Sequence, residues 1–425
     1  MTKISRVNMT GAAWIAAVGL FAGTYDVTAL SVLLVHLRTF WNLSSAQIAF
    51  LTAAPLAGSV VGSVFAGLLA DRLGRRLLLL VDFATFVVAA LLAATAPGYA
   101  PLLLWRSVMG IGIGADFAVV FPYLTETIEP SRRGATMALV LWVNDVGQIL
   151  AYGTGTLFAR LGVNGFRYAL LTGAALGVIA LASRRSLPES PSWLKRHLGS
   201  VRALAHYSLR KKSLQATASS AALWFLHQVT GQGLTLFLPL VVAFMWSGGA
   251  AQSGVESVGV KLLSLVGGLI AVLTIDRLGR RVLQWSGFLG RGLALLGLAL
   301  LILSRAHASF WLVGGLLSLA LAFGAAGPDK TTVIATAERF PTPLRASGQG
   351  MAEMIGRLGG VTGVLLFGLF VGSGGLGWGL MLFAGVALTG AALTYLTLPE
   401  TLPTAMGRPG LRSVRELSRI GHVGD

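Results

Sequence analysis

The sequence predicts an all-α integral membrane protein: twelve transmembrane helices in two pseudo-symmetric six-helix halves. Three observations predict it. The 425 residues are 55% hydrophobic and only 12% charged, with a mean hydropathy of +0.76, whereas a soluble domain carries about 25% charge. About twelve apolar runs are each long enough for the roughly 20 residues that a bilayer crossing needs. The hexapeptide Asp71-Arg-Leu-Gly-Arg-Arg76 recurs identically from Asp276 to Arg281.

This composition excludes a soluble multidomain protein, whose surface needs more charge, and also disorder and a nucleic-acid-binding globule. The absence of cysteine removes disulfides, thiolate catalysis and Cys-ligated metals. Six scattered histidines form no metal-ligand cluster, and no metal or cofactor is expected. Nor does any nucleophile stand at recognisable spacing from a base, so the chain does not read as an enzyme.

Charge, Pro and Gly clusters set the span edges. In the first half the runs fall near 11–37, 46–70, 77–97, 101–125, 135–159 and 166–183. Trp41-Asn42 closes the first, Asp71 to Arg76 separate the second from the third, and Pro97-Gly98 ends the third. Glu126 to Arg133 part the fourth from the fifth, and Arg160 closes the fifth. In the second half the runs fall near 214–246, 254–275, 282–304, 308–337, 346–372 and 376–398. A Gly pair, Asp276 to Arg281, Arg305, Glu338 to Arg345, and a Gly cluster after 371 separate them in turn. The expected organisation is an N-terminal bundle at 1–183, a basic cytoplasmic linker at 184–213, a C-terminal bundle at 214–405 and a cytoplasmic tail at 406–425. The first run is too long for a signal peptide and carries Asp26.

The net charge of +17 has a topological reading. With the N-terminus inside, 24 of the 33 Lys and Arg fall on tails and even-to-odd loops, while Arg38, Arg160, Arg167, Lys261 and Arg305 are assigned to the opposite side. The positive-inside rule then places both termini in the cytoplasm of a cell membrane, inner or plasma. A second repeat accompanies the hexapeptide: Glu126 with Arg133, and Glu338 with Arg345, each seven residues apart after a fourth span. Two six-helix repeats are the pattern of a secondary transporter whose substrate site lies between the halves near the midplane.

These residues resemble the major facilitator superfamily. Gly67-Leu-Leu-Ala-Asp71-Arg72-Leu-Gly74-Arg75-Arg76 is similar to its signature between spans two and three, and Asp276, Arg277, Gly279, Arg280 and Arg281 repeat it. The resemblance implies a gating role for both loops, with Glu126, Arg133, Glu338 and Arg345 beside them. An Asp can sit against a helix N-terminus, and the arginines can pair acids across the seam between halves. Arg106 to Gly114, Pro188-Glu189-Ser-Pro-Ser-Trp-Leu194, Pro399-Glu-Thr401, and Gly327-Pro328 through Arg345 resemble the sugar-porter and metabolite–proton symporter branches; Glu189 joins the gating set on this basis. His227-Gln228-Val-Thr-Gly231-Gln232 resembles the hexose motif of span seven, but carries His for its first Gln and later Gly for Asn, which counts against hexose. Tyr25-Asp26, Trp41 to Ser45, and Gly356-Arg357-Leu-Gly-Gly360 resemble aromatic-acid and niacin-type symporters. The drug-antiporter signature is missing from span five. Gly110 to Gly114 follow no strand, and these glycines read as helix packing rather than a nucleotide loop.

Ionisable residues within spans select the candidate site, because a charge at the bilayer centre costs a few kcal/mol. Asp26, mid-span, is the first proton-coupling candidate; its other reading is a carboxylate permanently paired to a cation. Asp145 is the second, and Arg106 either tunes a carboxylate or braces the outer seam. Tyr25, Asn144 and Gln148 are expected to line the substrate site. Trp224, His227, Gln228 and Gln232 form one stripe of span seven, with Trp224 stacking on substrate, the amides binding hydroxyl or carboxyl groups, and His227 either titrating or bonding between helices. Arg357 either binds a substrate carboxylate or pairs with Glu353 one turn earlier. Lys330 either meets substrate or pairs with Asp329. The expected function is alternating-access symport of a small polar metabolite with protons, an organic anion slightly ahead of a sugar or polyol, by a monomer in the lipid bilayer. A passive facilitator shares this architecture, and a receptor on a transporter scaffold is the reading from another class.

Overall fold

The computed structural model describes residues 11–194, 211–246, 250–304, 309–340, 344–372 and 375–400. Among them are 12 candidate membrane-spanning helices and no strand. Spans one to six are Gly11–Phe40, Ser45–Leu73, Arg75–Ala94, Tyr99–Thr127, Arg133–Ala159 and Gly165–Arg184. Spans seven to nine are Lys211–Trp246, Ala250–Leu278 and Arg280–Leu303. Span ten is two helices, Phe310–Ala326 and Pro328–Arg339, and spans eleven and twelve are Arg345–Gly372 and Leu376–Thr397. Each lies within a few residues of its expected position. Most of the expected linker and the whole 406–425 tail lie outside the described residues.

Span ten divides because Pro328 lacks an N–H and its ring disfavours helical geometry in the preceding residue, so Gly327 leaves the helix at φ −128°, ψ −101°. Spans two and four approach backbone to backbone: a Cβ at Gly58 would overlap the Ser107 carbonyl oxygen, and one at Gly110 that of Pro55. Glycine permits this approach.

The repeated hexapeptides are not loops. In each, one glycine joins two long helices, Gly74 at φ +102° and Gly279 at φ +91°, a left-handed backbone that disfavours any Cβ. Glu189 accepts from the Arg75 and Arg76 N–H groups at 2.9 and 3.2 Å. Glu400 accepts from those of Arg280 and Arg281 at 3.0 and 3.1 Å. Each carboxylate thus caps the following helix, where free N–H groups and the helix dipole favour an anion. Arg75 joins Asp71 at 2.9 Å and Glu126 at 3.2 Å; Arg280 joins Asp276 at 3.0 Å and Glu338 at 2.9 Å.

From these clusters each Asp reaches the other half. Asp71 Oδ2 accepts from the Ser347 N–H at 2.8 Å and hydroxyl at 2.5 Å, at the start of span eleven. Asp276 Oδ2 accepts from the Ala135 N–H at 2.8 Å, at the start of span five. Glu126 also lies 3.5 Å from Arg345. Arg133 donates to the Ile128 carbonyl at 3.4 Å rather than pairing with Glu126. Arg72 and Arg277 are exposed without a partner among the described residues; Arg75 and Arg280 sit within the clusters, while Arg76 and Arg281 donate to the carbonyls of Arg185 and Tyr395.

The halves also meet at the opposite ends of the spans. Tyr152 donates to the Thr235 carbonyl at 2.6 Å, Gly254 packs on Thr156 and Gly368 on Ala49. Contact at both ends makes this an occluded arrangement. Gly74→Ala and Gly279→Ala should each lower stability by about 1–2 kcal/mol through the left-handed backbone, read as a lower thermal midpoint in detergent. Gly385→Ala, where a Cβ meets nothing within 4 Å, should not lower it.

Candidate functional site

Spans one and four bring two expected residues together. Arg106 Nη1 donates to Asp26 Oδ2 at 3.0 Å and to the Asp26 carbonyl at 3.2 Å, with both side chains buried. Gly173 of span six lies flush against the carboxyl, and Asp26 Oδ1 has no hydrogen-bond partner. The Tyr25 hydroxyl is engaged with Thr154 Oγ1 at 2.7 Å, and Asn144 accepts from the Thr24 hydroxyl. Gln148 Oε1 is buried and unpartnered.

The central network crosses between the halves. Lys330 Nζ donates to Asp145 Oδ2 at 2.6 Å, which replaces the alternative that paired it with Asp329. The break before Pro328 turns Asp329 the other way, to Arg291 Nη2 at 2.6 Å and within 3.4 Å of His227 Nδ1. Lys261, assigned from sequence to an outer loop, lies inside span eight and is 3% exposed. Its ammonium makes no hydrogen bond or ion pair among the described residues, and the charges that act on it include those of Asp145, Asp329, Lys330 and Arg291. Three cations thus face two carboxylates.

The span-seven stripe divides. Trp224 is buried, and its indole N–H donates to Thr336 Oγ1 at 2.9 Å and the Thr332 carbonyl at 3.1 Å. Its ring packs on Gly356, so it braces spans ten and eleven in place of the expected stacking surface. Gln228 and Gln232 make no side-chain hydrogen bond among the described residues, and their amides remain available. Arg357 takes its second reading: Nε and Nη2 both reach Glu353 Oε1, at 3.0 and 2.9 Å.

A further buried group was not among the sequence candidates. Arg184, counted from sequence in the linker, is the last residue of span six and 1% exposed. It reaches Asp82 of span three at 3.2 Å and Asp116 of span four at 2.6 Å, and its guanidinium covers the Phe83 ring at 4.1 Å. Asp82, Asp116, Arg291 and Lys261 carry the signal that selected Asp26, a charge within an apolar run. An apolar groove beside spans seven, eleven and twelve, lined by Leu226, Trp378 and Met381 among others, is separate from these charges.

Known proteins agree with this architecture. A Major Facilitator Superfamily profile matches residues 16–329, and the chain belongs to that superfamily: it is a multi-pass membrane transporter. It is 25% identical to the putative metabolite transport protein YaaU of Escherichia coli, over 93% of each chain. It is 27% identical to the putative niacin/nicotinamide transporter NiaP of Bacillus subtilis, over 83% of this chain and 86% of that one. The proton:xylose symporter XylE superposes with a TM-score of 0.81 at 20% identity, covering 92% of this chain and 96% of that one.

Removing Asp145 leaves Lys330 and Lys261 without their shared carboxylate in a low-dielectric interior, which costs about 3–5 kcal/mol. Asp145→Asn should lower the thermal midpoint markedly, and Lys330→Gln added to it should recover most of the loss. Additive losses would show that the two groups do not depend on each other.

Proposed function

We propose that the protein is a proton-coupled symporter of a small organic anion, working by alternating access. The observation that carries this reading is the excess cation of the central network, where, among the described residues, the carboxylates beside Lys261, Lys330 and Arg291 are Asp145 and Asp329. A substrate carboxylate beside Lys261 neutralises that group, with Gln148, Gln228 and Gln232 supplying amides to its remaining polar atoms. His227 and Arg357 flank the same network.

Asp26 supplies the proton site. Its pairing with Arg106 holds span one on span four; a proton on the carboxyl weakens that pair, and its loss restores it. Transport is then the alternate opening of the two sets of cross-half contacts. The cluster of Asp71, Arg75, Glu126, Asp276, Arg280, Glu338 and Arg345 gates the cytoplasmic side, with both termini cytoplasmic in an inner or plasma membrane and one chain as the transport unit. The six-span bundles, 1–183 and 214–405, are the bodies that rock. A sugar or polyol is the second reading, favoured by the free Gln228 and Gln232 amides and by similarity to proteins named for glucose and xylose.

Uptake into proteoliposomes tests both parts. Organic anions should accumulate under an inward-acid gradient and a protonophore should abolish accumulation; equilibration alone would contradict coupling. Asp26→Asn should keep counterflow exchange while losing gradient-driven accumulation at least tenfold. Lys261→Gln should raise KM for an anionic substrate about tenfold or more, in line with the loss of one charge-assisted hydrogen bond of about 1.5–3 kcal/mol; an unchanged KM with preferential sugar uptake would favour the second reading.

A further inference from the structure

The buried Asp82–Asp116–Arg184 group adjoins a second charged pair across the boundary between halves. Arg357 of span eleven lies over the ring of Phe117 in span four, 4.7 Å from its centre, one residue from Asp116. Glu353 is fully buried, and the charge of Asp116 acts on it. Spans three, four, six and eleven therefore contribute three carboxylates, Asp82, Asp116 and Glu353, and two guanidiniums, Arg184 and Arg357. From span one, Gly19 packs on the Arg184 guanidinium, and from span seven the charge of Arg357 acts on His227.

Three carboxylates against two cations leave one negative charge uncompensated in a medium that does not tolerate it. The hydrogen bonds indicate which carboxyls are free to be neutral. Asp82 accepts from Arg184 with both oxygens, at 3.2 Å each, and from the Phe83 N–H at 2.5 Å. Asp116 uses only Oδ1 toward Arg184, and Glu353 uses only Oε1 toward Arg357, leaving a buried Oε2 without a partner.

We propose that Asp116 and Glu353 together hold one proton at the boundary between the halves, a site separate from Asp26. Occupied, it lets span eleven lie against span four in the occluded arrangement. Emptied, it leaves two carboxylates facing each other and drives the spans apart, and Arg357 is drawn toward Asp116 or a substrate carboxylate. The assignment rests on charge balance and geometry and holds whether or not Asp26 drives uptake.

Protonation itself is the measurement. On wild-type protein in detergent, a hydrophobic carbodiimide, which reacts with protonated carboxyls, should label Asp116 or Glu353 at neutral pH, as mapped by peptide mass spectrometry, and labelling should fall as pH rises. Infrared spectra should show a protonated-carboxyl C=O band that persists in Asp26→Asn and is lost in the Asp116→Asn/Glu353→Gln double variant. Native wild-type protein labelled at neither residue, or a band of full amplitude in the double variant, would overturn the proposal.

Discussion

Within the bilayer interior a charge persists only where an opposite charge or a proton balances it, and the whole architecture answers to that constraint. Among the described residues, setting aside Glu256 near the start of span eight, six carboxylates lie along the spans between the repeat clusters and the opposite ends: Asp26, Asp82, Asp116, Asp145, Asp329 and Glu353. Six cations accompany them: Arg106, Arg184, Lys261, Arg291, Lys330 and Arg357. The total is balanced, but the division is not. The first half holds four of the carboxylates and the second half four of the cations, so the halves attract. Among these twelve groups Asp145–Lys330 is the ion pair that joins the halves, and two local imbalances remain, a surplus cation near Lys261 and a surplus carboxylate near Glu353. Surplus charge of opposite sign in one molecule suits the binding of an anion at one point and of a proton at the other.

The repeated clusters around Gly74 and Gly279 obey the same constraint at the ends of the spans. One glycine turn brings an Asp, an Arg and two Glu together in each half, and the Asp caps a helix belonging to the other half. Helix N-termini supply partial positive charge only in their first turn, so a displacement of a few ångströms releases the cap. On the proposed mechanism, Asp71 and Asp276 are catches that hold one arrangement and yield when the halves rotate. The same short reach explains why Glu189 and Glu400, capping within their own halves, are structural parts of each bundle.

Most of the fold was legible because span length, apolar runs and an exact repeat are properties of the chain itself. The Asp26–Arg106 pair could be anticipated from two charges in early spans, and Arg357–Glu353 from one-turn spacing. What sequence could not supply was the direction of a side chain around its helix. Lys330 and Asp329 are adjacent, yet successive helical positions point about 100° apart, so one faces Asp145 and the other Arg291. Arg184 reads from sequence as a boundary because it ends an apolar run, while a long side chain can extend back into the protein to reach a buried carboxylate. Trp224 was misread because its stripe faces both the centre and span ten, and only three-dimensional packing distinguishes the two.

On the proposed mechanism, the charge pair between Asp145 and Lys330 holds the two halves in the occluded arrangement. Since the natural chain contains no cysteine, spin labels can be placed at two introduced ones, Leu161→Cys after span five and Trp378→Cys in span twelve, both at the ends of the spans opposite the repeated glycine turns. Double electron–electron resonance should give one dominant distance with the pair intact, and a broader distribution shifted to longer distances once Lys330→Gln is added. The same distribution in both proteins would contradict the account.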